Sequence, residues 1–521
     1  MTNPAAAMRM LLTYAVCIPV AILVGYLLTN PLDYGTLGFF GLIIAILISP
    51  LFIKWHYQLL VFSLASPIIC FFIVGRPPLF QAMTVLSLGI TITERILMND
   101  RRSISVPVMA APLLFLAGVI YLTAELTGGF GLQSLGGGAG GGRKYIDVFT
   151  GAGMFFAIVS RTIAPGRRNF YLALFFLPGL LSLVGDLFPF LPSPLNRINL
   201  LIPPTISETD SVGFGVTRLS SLAHGMNICV GYMLARYGMS GIFSLRQPGR
   251  VLLFTVVFGL SLMGGYRNIV INTFLIMAFM FFFEGMHRTR LLPMAIMAGV
   301  MFATLLVSFS DKMPFTVQRS MSFLPLKWTP DVVISAEGSS EWRLRMWRDL
   351  WPKVPQYLLL GKGYTITEED YNYIGQGAFA NLGGPQLDNS QQSLAISSDY
   401  HSGPLSTLIP FGIWGAIGMV WLMGATLFVL YRNYQYGPED LRVFNIYLLV
   451  SNFSGIIAFF FIFGAFHSAV GGFGLAAGFS IAMNGGLAKR PAKSVSNPLI
   501  KPRPQVAPMG TLPMANGQSP I

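Results

Sequence analysis

Charge is what this sequence has least of. Asp, Glu, Lys and Arg make up 11% of its 521 residues, against roughly 25% in an average soluble domain. Cysteine is scarce as well. Cys17, Cys70 and Cys229 lie far apart, each inside an apolar segment, which excludes a disulfide framework and a cysteine metal centre. There are five histidines, and no His, Cys or carboxylate set falls at convincing ligand spacing, the acidic run Glu368–Asp370 included. No metal or other cofactor is therefore expected. A phosphate-binding loop is missing too: the Gly-rich stretch GGFGLQSLGGGAGGGRKY at 128–145 lacks the strand–glycine loop–helix pattern and reads as a flexible connection.

What fills the space is apolar. Hydrophobic residues are 53% of the chain and the mean hydropathy is +0.63, with several uninterrupted runs of the ~20 residues that cross a bilayer as a helix. The expected fold is an all-α polytopic membrane protein of about fourteen spans. They fall near 8–28, 36–53, 58–75, 79–96, 107–125, 145–163, 169–188, 213–236, 250–266, 268–285, 290–309, 402–431, 443–464 and 467–485. The first run reaches about Leu28, too long for a signal-peptide core, and is expected to be a retained span.

The net charge of +13 does not indicate nucleic acid, because the basic residues sit in short clusters between apolar segments. Alternate connections carry them: Lys54; Arg95, Arg101 and Arg102; Arg161, Arg167 and Arg168; Arg236, Arg246 and Arg250; Arg288 and Arg290; Arg432 and Arg442; and the tail from Lys489. By the positive-inside rule both termini are expected in the cytoplasm. The sequence thus divides into an N-terminal membrane bundle (1–310), one large outer loop (311–400), C-terminal membrane helices (401–487) and a proline-rich cytoplasmic tail (488–521) expected to be disordered.

The outer loop contains SSEWRLRMWRDLWPKVPQYLLLGKGY. Ser339 or Ser340 is a suitable cap for a helix whose apolar face is Trp342, Leu344, Met346, Trp347, Leu350 and Trp351, with Pro352 as its stop. Such a helix suits the membrane surface or the rim of the bundle.

Charges at a membrane edge are costly and mark candidate sites. On the outer side these are Arg218, Arg267 in a very tight turn between two spans, Arg343, Arg345 and Arg348 on the loop helix, His401 at the start of the twelfth span, and His467 between the last two. An arginine fork suits phosphate, although a snorkelling Arg267 and a solvated arginine face on the loop helix are open alternatives. A neutral His401 could take a proton near pH 7, with Asp399 placed to orient its ring; capping the helix is the alternative. His467 reads as structural.

Three ordered stretches carry a resemblance: SLMGGYRNIVINTFLIMAFM (261–280), SEWRLRMWRDLWPKVPQYLLLGKGY (340–364) and DYHSGPLSTLIPFGIWGAIG (399–418). Together they resemble the O-antigen ligase and polymerase superfamily of bacterial membrane glycosyltransferases, with Tyr-Arg-Asn where that family has Ser-Arg-Gly. A fourth stretch, TRLSSLAHGMN (217–227), resembles a family segment whose glycine and proline are here Ser221 and Met226. The resemblance covers about 210–485. It implies a C-type membrane glycosyltransferase fold in the bacterial inner membrane, without a metal, whose site opens to the periplasm. Arg267 and Arg343 would hold the diphosphate of a polyprenyl-linked glycan donor, with Arg218 and Arg345 as further candidates, and His401, with Asp399, would activate a hydroxyl of lipid A-core or a comparable glycan acceptor. Inversion at the anomeric carbon would follow. The implied alternatives are an O-antigen or exopolysaccharide polymerase and a protein O-oligosaccharyltransferase. A secondary transporter is the alternative from another class, against which stand the missing internal repeat and the polar residues gathered at the outer rim.

Overall fold

The computed structural model describes residues 4–27, 29, 34–73, 75–97, 106–127, 142–190, 192, 195–203, 218–244, 246–364, 398 and 400–490. Within them the chain is helical and contains no strand, apart from one isolated bridge between Ile69 and Pro78. In chain order the α-helices are α1 (Pro4–Leu27), α2 (Tyr34–Ser63), α3 (Leu79–Leu97), α4 (Pro107–Thr127), α5 (Gly142–Ile158) and α6 (Arg168–Phe176), which runs on as 3-10 turns to Phe190. Next come α7 (Ser220–Ile242), α8 (Pro248–Ser261), α9 (Arg267–Phe283) and α10 (Leu291–Phe309). The expected outer loop supplies α11 (Phe315–Met321), α12 (Pro330–Leu350) and α13 (Val354–Tyr357), and the chain finishes with α14 (Gly403–Tyr436), α15 (Arg442–Phe461) and α16 (Phe466–Asn484).

Six helical segments among the described residues are long and apolar enough to cross a membrane: Pro107–Thr127, Pro165–Leu187, Leu291–Lys312, Gly403–Tyr436, Glu439–Phe461 and Phe466–Asn484. Pro248–Gly264 and Arg267–Phe283 are shorter apolar helices. Leu291–Lys312 is the most apolar of the six and only 6% of its window is buried. Water would not tolerate such a surface on a monomer, whereas a lipid bilayer supplies its solvent.

The expected spans 36–53 and 58–75 are not two helices. One 30-residue helix runs from Tyr34 to Ser63, and the chain returns through a non-helical link to α3. The helix stops at Ser63, four residues ahead of Pro67, whose ring would clash with the Ser63 carbonyl in a continued helix. The loop helix also differs from expectation. It starts at Pro330 with Thr329 at the N-cap, not at Ser339 or Ser340, since a proline in the first turn has a preset φ and loses no bond. It ends at Leu350, just before Pro352, as expected.

The core is a stack of α4, α5, α14 and α16. Leu113, Leu116, Phe155, Phe411, Leu422, Val470 and Ala477 are all buried there in one cluster. Small residues bring α5 and α16 close: a Cβ on Gly151 would lie 3.1 Å from Gly471 Cα. Dispersion between closely packed backbones is the attraction available to helices in lipid. This stack fixes the starts of α5, α14 and α16 at one end of the molecule, where the candidate residues gather.

Candidate active site

The reversal from α8 to α9 takes a 3-10 turn, Leu262–Gly264, and then Gly265 at φ +68°, so that Tyr266 leads directly into Arg267 as the first residue of α9. Leu262 O keeps its 3-10 bond from the Gly265 amide (3.0 Å), the turn leaves the next three carbonyls without helical partners, and all four accept from outside the turn. Leu262 O accepts from Ser320 Oγ (3.1 Å) and Met263 O from the Leu219 amide (3.3 Å). Gly264 O accepts from Arg218 Nε (2.9 Å) and Gly265 O from Arg319 Nη1 (2.8 Å). The Arg218 guanidinium also lies 4.7 Å from the centre of the Tyr266 ring, whose hydroxyl donates to Ser220 Oγ at 2.8 Å. Arg218, expected from the resemblance to be a phosphate ligand, is thus buried against the turn that presents Arg267. Arg319, which the sequence did not single out, braces the same turn and donates from Nε to Ser335 Oγ of α12 (2.9 Å). No motif marks it; only the tertiary contact does.

The loop helix α12 carries the next three elements on one face. Ser340, Arg343 and Trp347 are spaced i, i+3, i+7, which places them along a single stripe. Ser340 Oγ accepts from Arg267 Nη1 at 3.0 Å. Arg343, one turn on, has a buried Nε with no hydrogen-bond partner among the described residues. Burial, and after it the nearby charge of Arg267, hold the Arg343 guanidinium below its usual range. Trp347 Nε1 donates to Tyr400 O (2.8 Å), the carbonyl that precedes His401. Seven helical residues span roughly 10 Å. The helix therefore spaces Arg267 from the His401 segment by about that rise, with Arg343 between them. Arg345 faces elsewhere: it pairs with Glu341 at 2.7 Å, and both side chains are more than 60% exposed. The sequence reading grouped Arg343 and Arg345; the structure brings only Arg343 to Arg267.

His401 sits in a fixed backbone. Tyr400 N donates to Ser406 Oγ (3.2 Å), Tyr400 is buried with Met346, Leu405 and Ile409, and Ser402 is the N-cap of α14. His401 itself has φ +51°, the left-handed region that a residue with a Cβ occupies at a cost. Such strain persists where surrounding contacts over-determine it, often at functional sites. Its ring meets Phe463 edge-on at 4.6 Å between centroids. Asp399 lies outside the described residues. His467 lies elsewhere, in the wall of a cavity between α3, α5 and α16.

The Gly-Lys-Gly at 361–363 has a structural reason. Helix α14 is broken at Pro410 and at Gly412, whose φ of +60° is not helical. The break strands the carbonyls of Ile409 and Pro410 and the amide of Ile413. Lys362 N donates to Ile409 O (2.9 Å), Gly363 N to Pro410 O (2.9 Å), and Ile413 N to Leu358 O (2.7 Å). So close an approach leaves no room for a side chain at residue 361, where a Cβ would lie 2.1 Å from Pro410 O. This docking ties the end of the outer segment to the helix that carries His401.

Among the described residues no three His, Cys, Asp or Glu side chains converge to hold a metal. What the arrangement offers is two adjacent guanidiniums with no carboxylate partner among the described residues, and an imidazole about two helical turns away. That suits a multiply charged anion beside a proton acceptor.

No curated protein and no solved structure was found to match the chain. A family model described as O-antigen ligase matches residues 241–420, a stretch that holds Arg267, Arg343 and His401 and leaves Arg218 outside. Residues 241–420 are thus similar to the O-antigen ligase family, and the long apolar helices are those of a multi-pass membrane protein.

Proposed function

We propose that this chain transfers a glycan from a polyprenyl-diphosphate carrier to a hydroxyl of lipid A-core or a similar acceptor, at the periplasmic face of the bacterial inner membrane. The observation that carries the reading is the stripe on α12, which gathers Arg267 and Arg343 without a described carboxylate partner and anchors the His401 backbone. A carrier whose tail stays in lipid presents its diphosphate at the membrane edge, where this stripe would meet it.

The chemistry balances on these groups. His401 removes the proton of the acceptor hydroxyl, with Asp399 orienting the ring. The oxygen attacks the anomeric carbon from the face opposite the diphosphate, and the bond from that carbon to the diphosphate oxygen breaks. The electron pair leaves with the diphosphate, whose growing charge the two arginines offset. Configuration inverts. The leaving group is already activated, so positioning and electrostatic stabilisation supply most of what the protein must add. The desolvated arginine pair gains most when that charge is largest, which favours the transition state over the ground state.

Ligation is preferred to polymerisation because the matching family model is described as O-antigen ligase. The test is the envelope glycan profile of cells lacking this chain. Accumulation of full-length lipid-linked polymer is the expected result. Accumulation of single lipid-linked repeat units would make the chain a polymerase, and an unchanged profile would refute glycan transfer altogether.

A further inference from the structure

A second polar site lies apart from the arginine stripe. Between the starts of α3, α5 and α16 is a cavity of about 370 Å³ whose wall includes Gln81, Arg143, Asp147, His467, Ser468 and Gly472. Its volume lies within the roughly 300–1,000 Å³ usual for small-molecule sites. The buried Gln81 amide donates to one oxygen of Asp147, which fixes the carboxylate and leaves its other oxygen to accept. The Arg143 side chain, whose guanidinium can donate, lines the same wall, and Phe80 adds an aromatic face. Interleaved donors and acceptors beside an aromatic ring suit the vicinal hydroxyls and apolar ring face of a sugar. None of these residues belongs to the arginine–histidine stripe.

The cavity also leads toward His401. Ser468 and Gly472 line both it and a second cavity of about 270 Å³ between α15 and α16. That second cavity is bounded by Phe463, the residue whose ring packs on His401. The arginines reach the His401 segment through α12, and the two cavities reach it from Phe463.

We propose that the Gln81–Asp147–Arg143 cavity binds the saccharide of the acceptor and, with its neighbour, holds that acceptor on the Phe463 side of His401. This rests on the transfer reading above and deepens it. Gly472 gives a clean test, because a Cβ there meets nothing within 4 Å. Gly472→Leu therefore starts a side chain in the shared part of the two cavities from a Cβ that meets no atom, and Asp147→Asn removes the carboxylate while keeping its shape. The purified full chain is assayed with polyprenyl-diphosphate-linked glycan and rough lipopolysaccharide, both extracted from cells lacking it. Either variant should raise the KM for lipopolysaccharide at least tenfold and leave the KM for the lipid-linked donor within twofold. An unchanged lipopolysaccharide KM in both variants, or a rise confined to the donor, overturns the site while the transfer reading stands. So does Asp147-dependent stabilisation by phosphatidylethanolamine with acceptor KM unmoved, which would make the cavity a headgroup site. A wild-type chain that transfers nothing overturns both.

Discussion

Arg343 shows at the level of single residues why the site wants an anion. Its guanidinium is largely desolvated, one nitrogen is unsatisfied, and the nearest charge pushing on it is Arg267. Like charges held together in part-buried surroundings destabilise each other, and a bound diphosphate reverses the sign of that interaction. Removing one partner then leaves ligand charge unpaired, at about 2–5 kcal/mol, or roughly 30- to 5,000-fold in rate. Arg267→Ala should lose activity in that range, and Arg267→Lys should recover only part, because the planar fork is gone. Near-normal turnover by purified Arg267→Ala would return this residue to snorkelling. Arg345→Ala, on the solvated face with Glu341, should cost little in the same assay, since exposed pairs contribute on the order of 0–1 kcal/mol.

Helix α12 and the broken helix α14 are the elements that hold the geometry. The sequence announced much of this: the tight turn around Arg267, a helix in the outer loop, its stop near Pro352, and a helix starting beside His401 were all readable from local pattern. The start of α12 was not, because Pro330 opens the helix nine residues before the serines that resemble caps. The break in α14 and its repair were not readable either. That repair joins 358–363 to 409–413, and no local periodicity reports a contact between segments so far apart. Arg319 was missed for the same reason. Gly361→Ala tests the element: with φ +78° and a Cβ 2.1 Å from Pro410 O, it should cost at least about 1–2 kcal/mol from backbone conformation alone. The measurable outcome is a lowered melting temperature and a lowered transfer rate together, while Gly472→Ala, with open space around it, should leave the melting temperature unchanged.

The whole molecule raises the question of which side the site faces. From Arg95 onward the basic residues fall in short clusters between apolar segments, whereas Lys54 lies inside α2 and not in a connection. Three apolar helices, α14 to α16, separate the α12 segment from the tail. An odd number of crossings puts the two on opposite sides, whatever the N-terminal count, which changes because the single helix Tyr34–Ser63 stands where 36–53 and 58–75 were expected as two. Cysteine labelling of intact cells checks this, in a background lacking Cys17, Cys70 and Cys229. The exposed Glu337→Cys should react with an impermeant reagent and Ser494→Cys should not. The reverse pattern would place the arginine stripe in the cytoplasm and remove its access to a periplasmic acceptor.

The central claim is that His401 takes the acceptor proton within reach of a diphosphate held by Arg267 and Arg343. The direct measurement is single-turnover transfer by purified His401→Ala, alongside donor binding and melting temperature. General-base loss is worth about 10²–10⁴ in rate. The account predicts a fall of that size, with the lipid-linked donor still bound and the fold intact. Transfer at the wild-type rate by His401→Ala would contradict it, leaving His401 a strained residue at the start of a helix and the reaction without its base.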